Sequence, residues 1–433
     1  MRGMRVGLVC GYLNPMRDGV ADYTRRLAVH LRATGLEPLV LTSFACAETA
    51  GSGTVGVTQH WDVRGVAAAA SAFRRLELDL LHVQYAPSVF GSSPAVGLLP
   101  LLLPRRVPLV MTLHEYGVWP GSGRRRRVRS ALWSAAERSG RLDRETLLLT
   151  SRSARLLVTS PEHRDVLVAR FPRHPPASVE VPVGLNVEIA PGDRARCRAE
   201  VRRELGAAPE APLVVFFGFL HPEKSLDRLI AALAVLRGRR PDTQLLIVGG
   251  AESHSVPSAA ARRLRQDLDK VAAACGVQEQ VHFTGYLPDA EVSRLLQAAD
   301  AAALPLNAGV TRKSGSLLAA FAAGVPVVAT APPGEVRGPT EIDGVLRIPP
   351  RDTAALTDAL GQVLGDGALA DRLTTAGRAH AASQGWEAIA AQHAEIYARV
   401  MSSGRSGSPW TRSAEPNKVE RSPSAKGDRD VTA

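Results

Sequence analysis

Residues 213 to 236 read LVVFFGFLHPEKSLDRLIAALAVL, and the order of chemistry along them decides the fold. Leu213 to Phe217 make a short apolar strand, and a polar turn from Gly218 to Ser225 follows. Leu226, Leu229, Ile230, Leu233 and Leu236 then recur at the spacing of a helix with one buried face. A strand handing over to a helix in this way is half of a βαβ unit. Toward the C-terminus the apolar runs Gln244 to Val248, Val281 to Thr284, Ala301 to Leu304 and Pro326 to Ala329 repeat the pattern. Toward the N-terminus Arg5 to Cys10, Leu39 to Thr42, Leu80 to Val83, Leu109 to Leu113, Leu156 to Thr159 and Val179 to Val183 do the same. Most of these runs are separated by enough chain for a crossover helix, which predicts parallel, doubly wound α/β sheets. A Pro-, Gly- and charge-rich stretch around Pro191 to Pro212 divides the two series. The expected organisation is two Rossmann-like domains, 1–190 and 213–382, a linker at 191–212 and a helix at 383–401. Residues 402–433, rich in Ser, Pro, Gly and charge, are expected to be disordered.

The length of 433 residues suits two or three domains, and 45% hydrophobic with 22% charged residues suits a soluble globular chain. Aromatic residues at 5% argue against stacking platforms for nucleic acid, and no nucleic-acid module is present, so none is expected as a partner. The net charge of +11 favours other anionic partners. Cys10, Cys46, Cys197 and Cys275 show no paired spacing, which signals neither a disulfide framework nor a zinc site and fits a reducing cytoplasm. Ala95 to Leu113 is too interrupted by Pro100, Pro104, Arg105, Arg106 and Pro108 for a spanning helix, and Val6 to Cys10 is too short for a secretory signal. A cytoplasmic protein, soluble or peripheral to the membrane, is expected.

Ligands of such sheets bind beyond the carboxyl ends of the strands, so the loops there hold the candidate site. The first, Asn14 to Tyr23, enters a helix at Gly19 and Val20, where free amides favour phosphate. It has no GxGxxG, which disfavours a dinucleotide enzyme. The second holds Gly218 and Lys224; a lysine at a helix opening opposes the dipole, which suggests a task such as meeting a diphosphate. The third and strongest signal, Asn307 to Ser316, offers Arg312, Lys313, Ser314, Gly315 and Ser316 as an anion cradle, with a basic turn capped by Ser314 or Ser316 as the lesser alternative. His114 and Glu115 end the strand Leu109 to Leu113 as a polar pair, where a histidine is as often a structural hydrogen bonder as a reactant.

Seven segments in order, GVADYT (19–24), TLHE (112–115), VPVGLN (181–186), FGFLHPEKSLDRLIAAL (217–233), LLIVGG (245–250), VHFTGYLP (281–288) and GSLLAAFAAGVPVVAT (315–330), together resemble the retaining GT-B glycosyltransferases. The resemblance is to the large group containing bacterial mannosyl- and glucosyltransferases that use nucleotide sugars, and it runs from about Met4 to Met401. It implies a GT-B fold: two Rossmann-like domains facing across a cleft, with Trp386 to Met401 as a C-terminal helix crossing back to the first. It further implies transfer of a hexose, with retention, from a nucleotide-diphosphate sugar to a hydroxyl of a glycan or lipid-linked glycan, as in polysaccharide biosynthesis. Lys224 matches the diphosphate-binding lysine and His114 would lie beside the transferred sugar, which makes these two the catalytic candidates. Gly19 and Val20 would approach the donor from across the cleft. Gly218 and the Arg312 to Ser316 segment would meet its phosphates, and Gly249, Gly285 and Tyr286 its nucleoside. Asp22, Tyr23 and Glu115 fall on the acceptor side. Neither a metal nor a cofactor is implied.

The departures from the pattern are specific. Phe219 stands where the family usually has Arg, and Thr311 and Ala319 stand at the positions of its two Glu residues. Arg312 and Lys313 are extra cations that would replace the missing Arg. The lost carboxylates also leave room for an alternative, a non-catalytic GT-B protein that binds sugar nucleotides or acts as a partner subunit. Between Gly121 and Glu180 there are 13 Arg against 6 acidic residues, beginning with Arg124, Arg125, Arg126, Arg127 and Arg129. With Val128, Ala131, Leu132, Ala135 and Ala136 on one helical face and Trp119 and Trp133 nearby, this segment reads as a helix that lies on an anionic membrane surface, or equally as a solvated basic helix.

Overall fold

Short aliphatic strands line up in parallel to form two sheets. The first takes β1 (Arg5–Val9), β2 (Glu37–Ser43), β3 (Thr54–Thr58), β4 (Leu80–Tyr85), β5 (Leu109–Leu113), β6 (Arg155–Val158) and β7 (Ser178–Glu180). The second takes β8 (Leu213–Phe217), β9 (Gln244–Val248), β10 (Val281–Phe283), β11 (Ala301–Leu304), β12 (Val327–Thr330) and β13 (Val345–Ile348). The computed structural model describes residues 3–13, 19–104, 106–117, 133–173, 175–185, 187–250, 258–311, 314–332 and 344–403. Strand order is β3-β2-β1-β4-β5-β6-β7 in one sheet and β10-β9-β8-β11-β12-β13 in the other. Each order reverses direction once, beside β1 and beside β8, and those switch points are where such sheets open a ligand crevice. Helices cover both faces, so central strands such as β4, β5, β9, β11 and β12 are buried along their whole length. Even Ala301-Ala302-Ala303, poor strand formers, are held extended because β8 and β12 flank them.

Two strands escape the sequence reading, and both lie at sheet edges. In β3 the apolar positions are only Val55 and Val57, and its pairing with β2 shifts register between Thr42 and Ser43. In β13 only Val345 and Ile348 are buried. Residues 191–212, expected as a linker, contain the helix Arg194–Glu204, capped by Asp193 accepting from the amides of Ala195 and Arg196. This helix is bolted to the second sheet by Arg202, 1% exposed, which donates to the carbonyls of Ala211 and Ala298 and pairs with Asp300 at 2.6 Å.

The helix Trp386–Ser403 leaves the second domain and returns to the first. Trp386, Ile389, Ala390, Ile396, Tyr397 and Val400 recur at helical spacing and all join the core of the first sheet. Trp386 Nε1 donates to the carbonyl of Leu185 at 2.5 Å, and Gln392 donates to that of Glu180 at 3.1 Å, so the helix grips the segment between the domains. Gly184 lies directly beneath the indole, where an added Cβ would sit 2.6 Å from a ring carbon. Gly184→Ala should therefore cost about 1–3 kcal/mol through overpacking, read as a lower urea midpoint; an unchanged midpoint would show that the indole does not press on this segment.

Candidate functional site

The loops after β8, β9 and β10 meet on one floor that only glycine fits. Gly218 (φ +145°) and Gly249 (φ +144°) both adopt backbone angles that L side chains rarely reach. A Cβ on Gly249 would collide with the Gly218 carbonyl, and one on Gly218 would lie 2.9 Å from Ser316 Oγ. Gly249 also forms an isolated bridge with Gly285, and Leu220 N donates to Gly250 O at 2.9 Å. The helix Gly315–Ala322 opens onto this floor. Ser314 occupies its N-cap position, yet Ser314 Oγ accepts from Thr311 N at 3.0 Å and caps no helix amide. Leu317 N and Leu318 N donate to Ser314 O, and among the described residues no side chain caps the helix start, which is the arrangement that binds anions.

Lys224 belongs to the short 3-10 turn Pro222–Lys224, one residue ahead of the N-cap Ser225, and so precedes the helix Leu226–Arg237 where the sequence reading had it open that helix. Ser225, at φ +50°, donates from Oγ to Asn307 Oδ1 at 2.8 Å, and Asn307 N donates to Glu223 O at 2.9 Å. These bonds lock the loop after β8 to the loop after β11. The Lys224 ammonium is half-buried, and desolvation pushes its pKa below the ordinary lysine value despite the neighbouring Glu223. Among the described residues no carboxylate lies within ion-pairing distance of it. A partly desolvated cation held without a counter-charge favours an anion beside it. Arg312, Lys313 and the loop residues Asn14 to Asp18 lie outside the described residues, as do Trp119 and the basic run Arg124 to Arg129. The tail from residue 404 onward is likewise outside them.

On the facing domain, Gly19 begins the helix Gly19–Ala33, and a Cβ there would meet no atom within 4 Å. The described fold itself therefore does not require glycine at this position. Val20 follows, half-buried. Asp22 is buried and pairs with Arg25 (3.0 Å) and Arg26 (2.9 Å), and burial still raises its pKa. Arg26 reaches on to Asp289 of the second domain at 2.6 Å. Tyr286, 45% exposed, stands close enough that the charges of Asp289 and Asp22 help to raise its phenol pKa, after desolvation. Asp22 and Tyr286, expected on opposite sides of a cleft, thus share one electrostatic neighbourhood.

Tyr23 is buried edge-on against His114, with ring centroids 4.7 Å apart, and tilts against Trp386 at 5.0 Å. His114, at the end of β5, is 8% exposed, while Glu115 is exposed. His114 Nε2 lies 2.8 Å from Gln84 Oε1; an amide oxygen only accepts, so Nε2 carries the proton. Behind it, His82 bridges Tyr397 and Thr112, at 2.7 Å each, which ties this wall to the returning C-terminal helix. The sequence reading missed the group that fixes the chain just after Glu115. Tyr116 OH donates to Asp143, Gly117 N donates to Glu145 Oε2 at 2.9 Å, and Arg170 pairs with both carboxylates at 3.2 Å. Its sequence signal, two acids inside an arginine-rich stretch, points to solvent rather than to a buried cluster.

His82 and His393 are fully buried, and burial holds both below the usual histidine range, His393 at about 4. The unfolded chain takes up these protons near pH 6.5 while the folded chain does not. The contribution to stability is complete above that pH. It is lost as the pH falls, by up to about 1.4 kcal/mol per unit per histidine, until the folded chain also protonates, near pH 4 for His393. Urea midpoints should decline from pH 7 to pH 5, and less steeply in His393→Leu; equal slopes would show that His393 is not held neutral.

Residues 198–380 match the family model described as Glycosyl transferases group 1, and residues 17–189 match Glycosyltransferase Family 4. Among curated relatives, the D-inositol 3-phosphate glycosyltransferase of Corynebacterium aurimucosum is 30% identical over 68% of this chain and 67% of its own length. That of Nocardia farcinica is 31% identical over 68% of this chain and 62% of its own length, and that of Streptomyces griseus 28% over 69% and 63%. The chain thus spans little more than three fifths of the Nocardia and Streptomyces relatives. Anabaena Alr3699/HepE, solved in complex with UDP and glucose, superposes with a TM-score of 0.68 at 17% identity, covering 92% of this chain and 100% of HepE. Sucrose-phosphate synthase from Thermosynechococcus elongatus gives 0.65 at 20% identity, covering 92% and 100%. With two parallel α/β domains, a helix that crosses back between them and these matches, the chain belongs to the GT-B glycosyltransferases.

Proposed function

We propose that the chain is a retaining, metal-independent glycosyltransferase that moves a hexose from a nucleotide-diphosphate sugar to an acceptor hydroxyl. The observation that carries this reading is the glycine floor of Gly218, Gly249 and Gly285, with Lys224 on the same loop after β8, half-buried and without an ion-pair partner among the described residues. A diphosphate laid on that floor meets the open amides of the helix Gly315–Ala322 and the Lys224 ammonium together. In this reading the bond from anomeric carbon to phosphate oxygen breaks, the acceptor oxygen attacks from the same face, and the leaving diphosphate takes the acceptor proton. Lys224 and the helix amides stabilise the charge growing on that diphosphate, and preorganised donors of this kind supply a large share of catalysis. Arg312 and Lys313 are proposed to add the charge that Phe219 does not. His114, its Nε2 proton committed to Gln84, acts as a shaped wall beside the sugar rather than as a base.

The relatives' name makes D-inositol 3-phosphate the first acceptor to try, ahead of glycan and lipid-linked hydroxyls. Attachment to an anionic membrane surface through Arg124 to Arg127 is proposed on the sequence alone; among the described residues no helix is long and apolar enough to cross a membrane. A second reading, a sugar-nucleotide binder without turnover, is favoured by the fully buried Ala319, which puts no carboxylate at a position where the family has one. Release of nucleoside diphosphate separates the two readings. Lys224→Ala should lower that release about a hundredfold or more with the fold intact. A loss under threefold would remove Lys224 from the mechanism, and no release by the unmutated chain from any sugar nucleotide would favour the binder.

A further inference from the structure

The second domain carries another cavity, of about 550 Å³, at the opposite edge of the same sheet. Pro212 precedes β8, Asp300 precedes β11 and Pro326 precedes β12, so the cavity opens at the amino ends of these strands, whereas the glycine floor lies at the carboxyl ends. With strands of four or five residues the two places are about 15 Å apart. Arg194, Arg198, Arg240 and Arg378 line the cavity. Its acids do not balance them: Asp300 is already shared by Arg198 and by the buried Arg202, and its Oδ2 also accepts from Leu213 N at 2.7 Å. Glu210 and Asp371 are exposed residues of its lining. Among the described residues neither Arg240 nor Arg378 has an ion-pair partner. Arg194 donates only to carbonyls, those of Gly324 and Ala299. Burial, and after it the like charges of Arg378 and Arg198, push its guanidinium pKa down.

Guanidiniums crowded into a cavity repel one another unless an anion sits among them, and their planar forks match phosphate oxygens. A volume within the ordinary range of small-molecule pockets suits a free metabolite rather than a macromolecule. We propose that this cavity is a second ligand site, separate from the donor floor, that binds a small, multiply charged phosphate compound through Arg194, Arg240 and Arg378. The helix Gly315–Ala322 links the two places, since its first turn borders the floor while Gly324, just past its end, lies under Arg378 and accepts from Arg194.

Inorganic pyrophosphate is the probe, titrated calorimetrically into the full chain, into Lys224→Ala, which weakens the donor floor, and into Lys224→Ala carrying the double variant Arg240→Ser/Arg378→Ser. Among the described residues neither arginine holds an ion pair, so the double variant should melt close to its parent; Arg240→Gln alone is the fallback if it does not. Binding should persist in Lys224→Ala and weaken at least tenfold in the arginine variant. Three results would overturn the proposal: no binding by the unmutated chain, equal binding by the arginine variant, or complete loss in Lys224→Ala alone. The last of these would place all bound pyrophosphate on the donor floor and so uphold the donor reading while removing this site.

Discussion

No side chain fits between Gly249 and the carbonyl of Gly218, and the site grows from that one close approach. Because the two backbones touch, the ends of β8 and β9 are pulled into one surface, and the bridge from Gly249 brings Gly285 to the same place. Ser316 closes the gap from the helix side, which brings the start of Gly315–Ala322 against the floor. The loop bearing Lys224 is then held by Asn307, which fixes the lysine in a partly desolvated position. In the proposed reading, backbone proximity therefore sets the anion site, and the cation completes it.

The facing wall is set by charge and by packing that crosses between domains. Arg26 shares itself between Asp22 of its own helix and Asp289 of the other domain, and Asp289 also accepts from Glu188 N, in the segment between the domains. The helix Trp386–Ser403 supplies the apolar counterpart, with Trp386 tilted against Tyr23 and gripping Leu185. An ion pair exposed at one partner is a modest and adjustable tie, while the buried helix is a firm one.

What the sequence reveals and what it hides follow from the range of each interaction. Gly218, Lys224 and Ser314 to Ser316 stood out because strand, turn and helix are adjacent in sequence, whereas Gly249 and Gly285 were singled out only by the family resemblance. His114 was legible only as a polar residue at a strand end; its pairing with Gln84 and its contact with Tyr23 depend on the sheet bringing β4, β5 and the first helix together. Arg26 with Asp289, and Arg170 with Asp143 and Glu145, join distant residues whose charges look solvated in sequence. The edge strands β3 and β13 were hidden because an edge needs fewer apolar residues, and the helix Arg194–Glu204 because its buried anchor is an arginine. Loss of the Glu positions at Thr311 and Ala319 was plain in sequence. Only the structure shows that Ala319 is fully enclosed and that Thr311 is tied through its amide to Ser314.

The central claim is that the floor binds a donor through its diphosphate. Thermal unfolding with GDP-, UDP- and ADP-sugars, each set beside its free nucleoside diphosphate and bare nucleoside, tests this most directly. The account predicts that one base class raises the unfolding midpoint, by about 2.7 kcal/mol of added stability at a hundred times the dissociation constant. The free diphosphate should retain most of that effect and the nucleoside little of it. No shift with any donor, or an equal shift with the nucleoside alone, would contradict it.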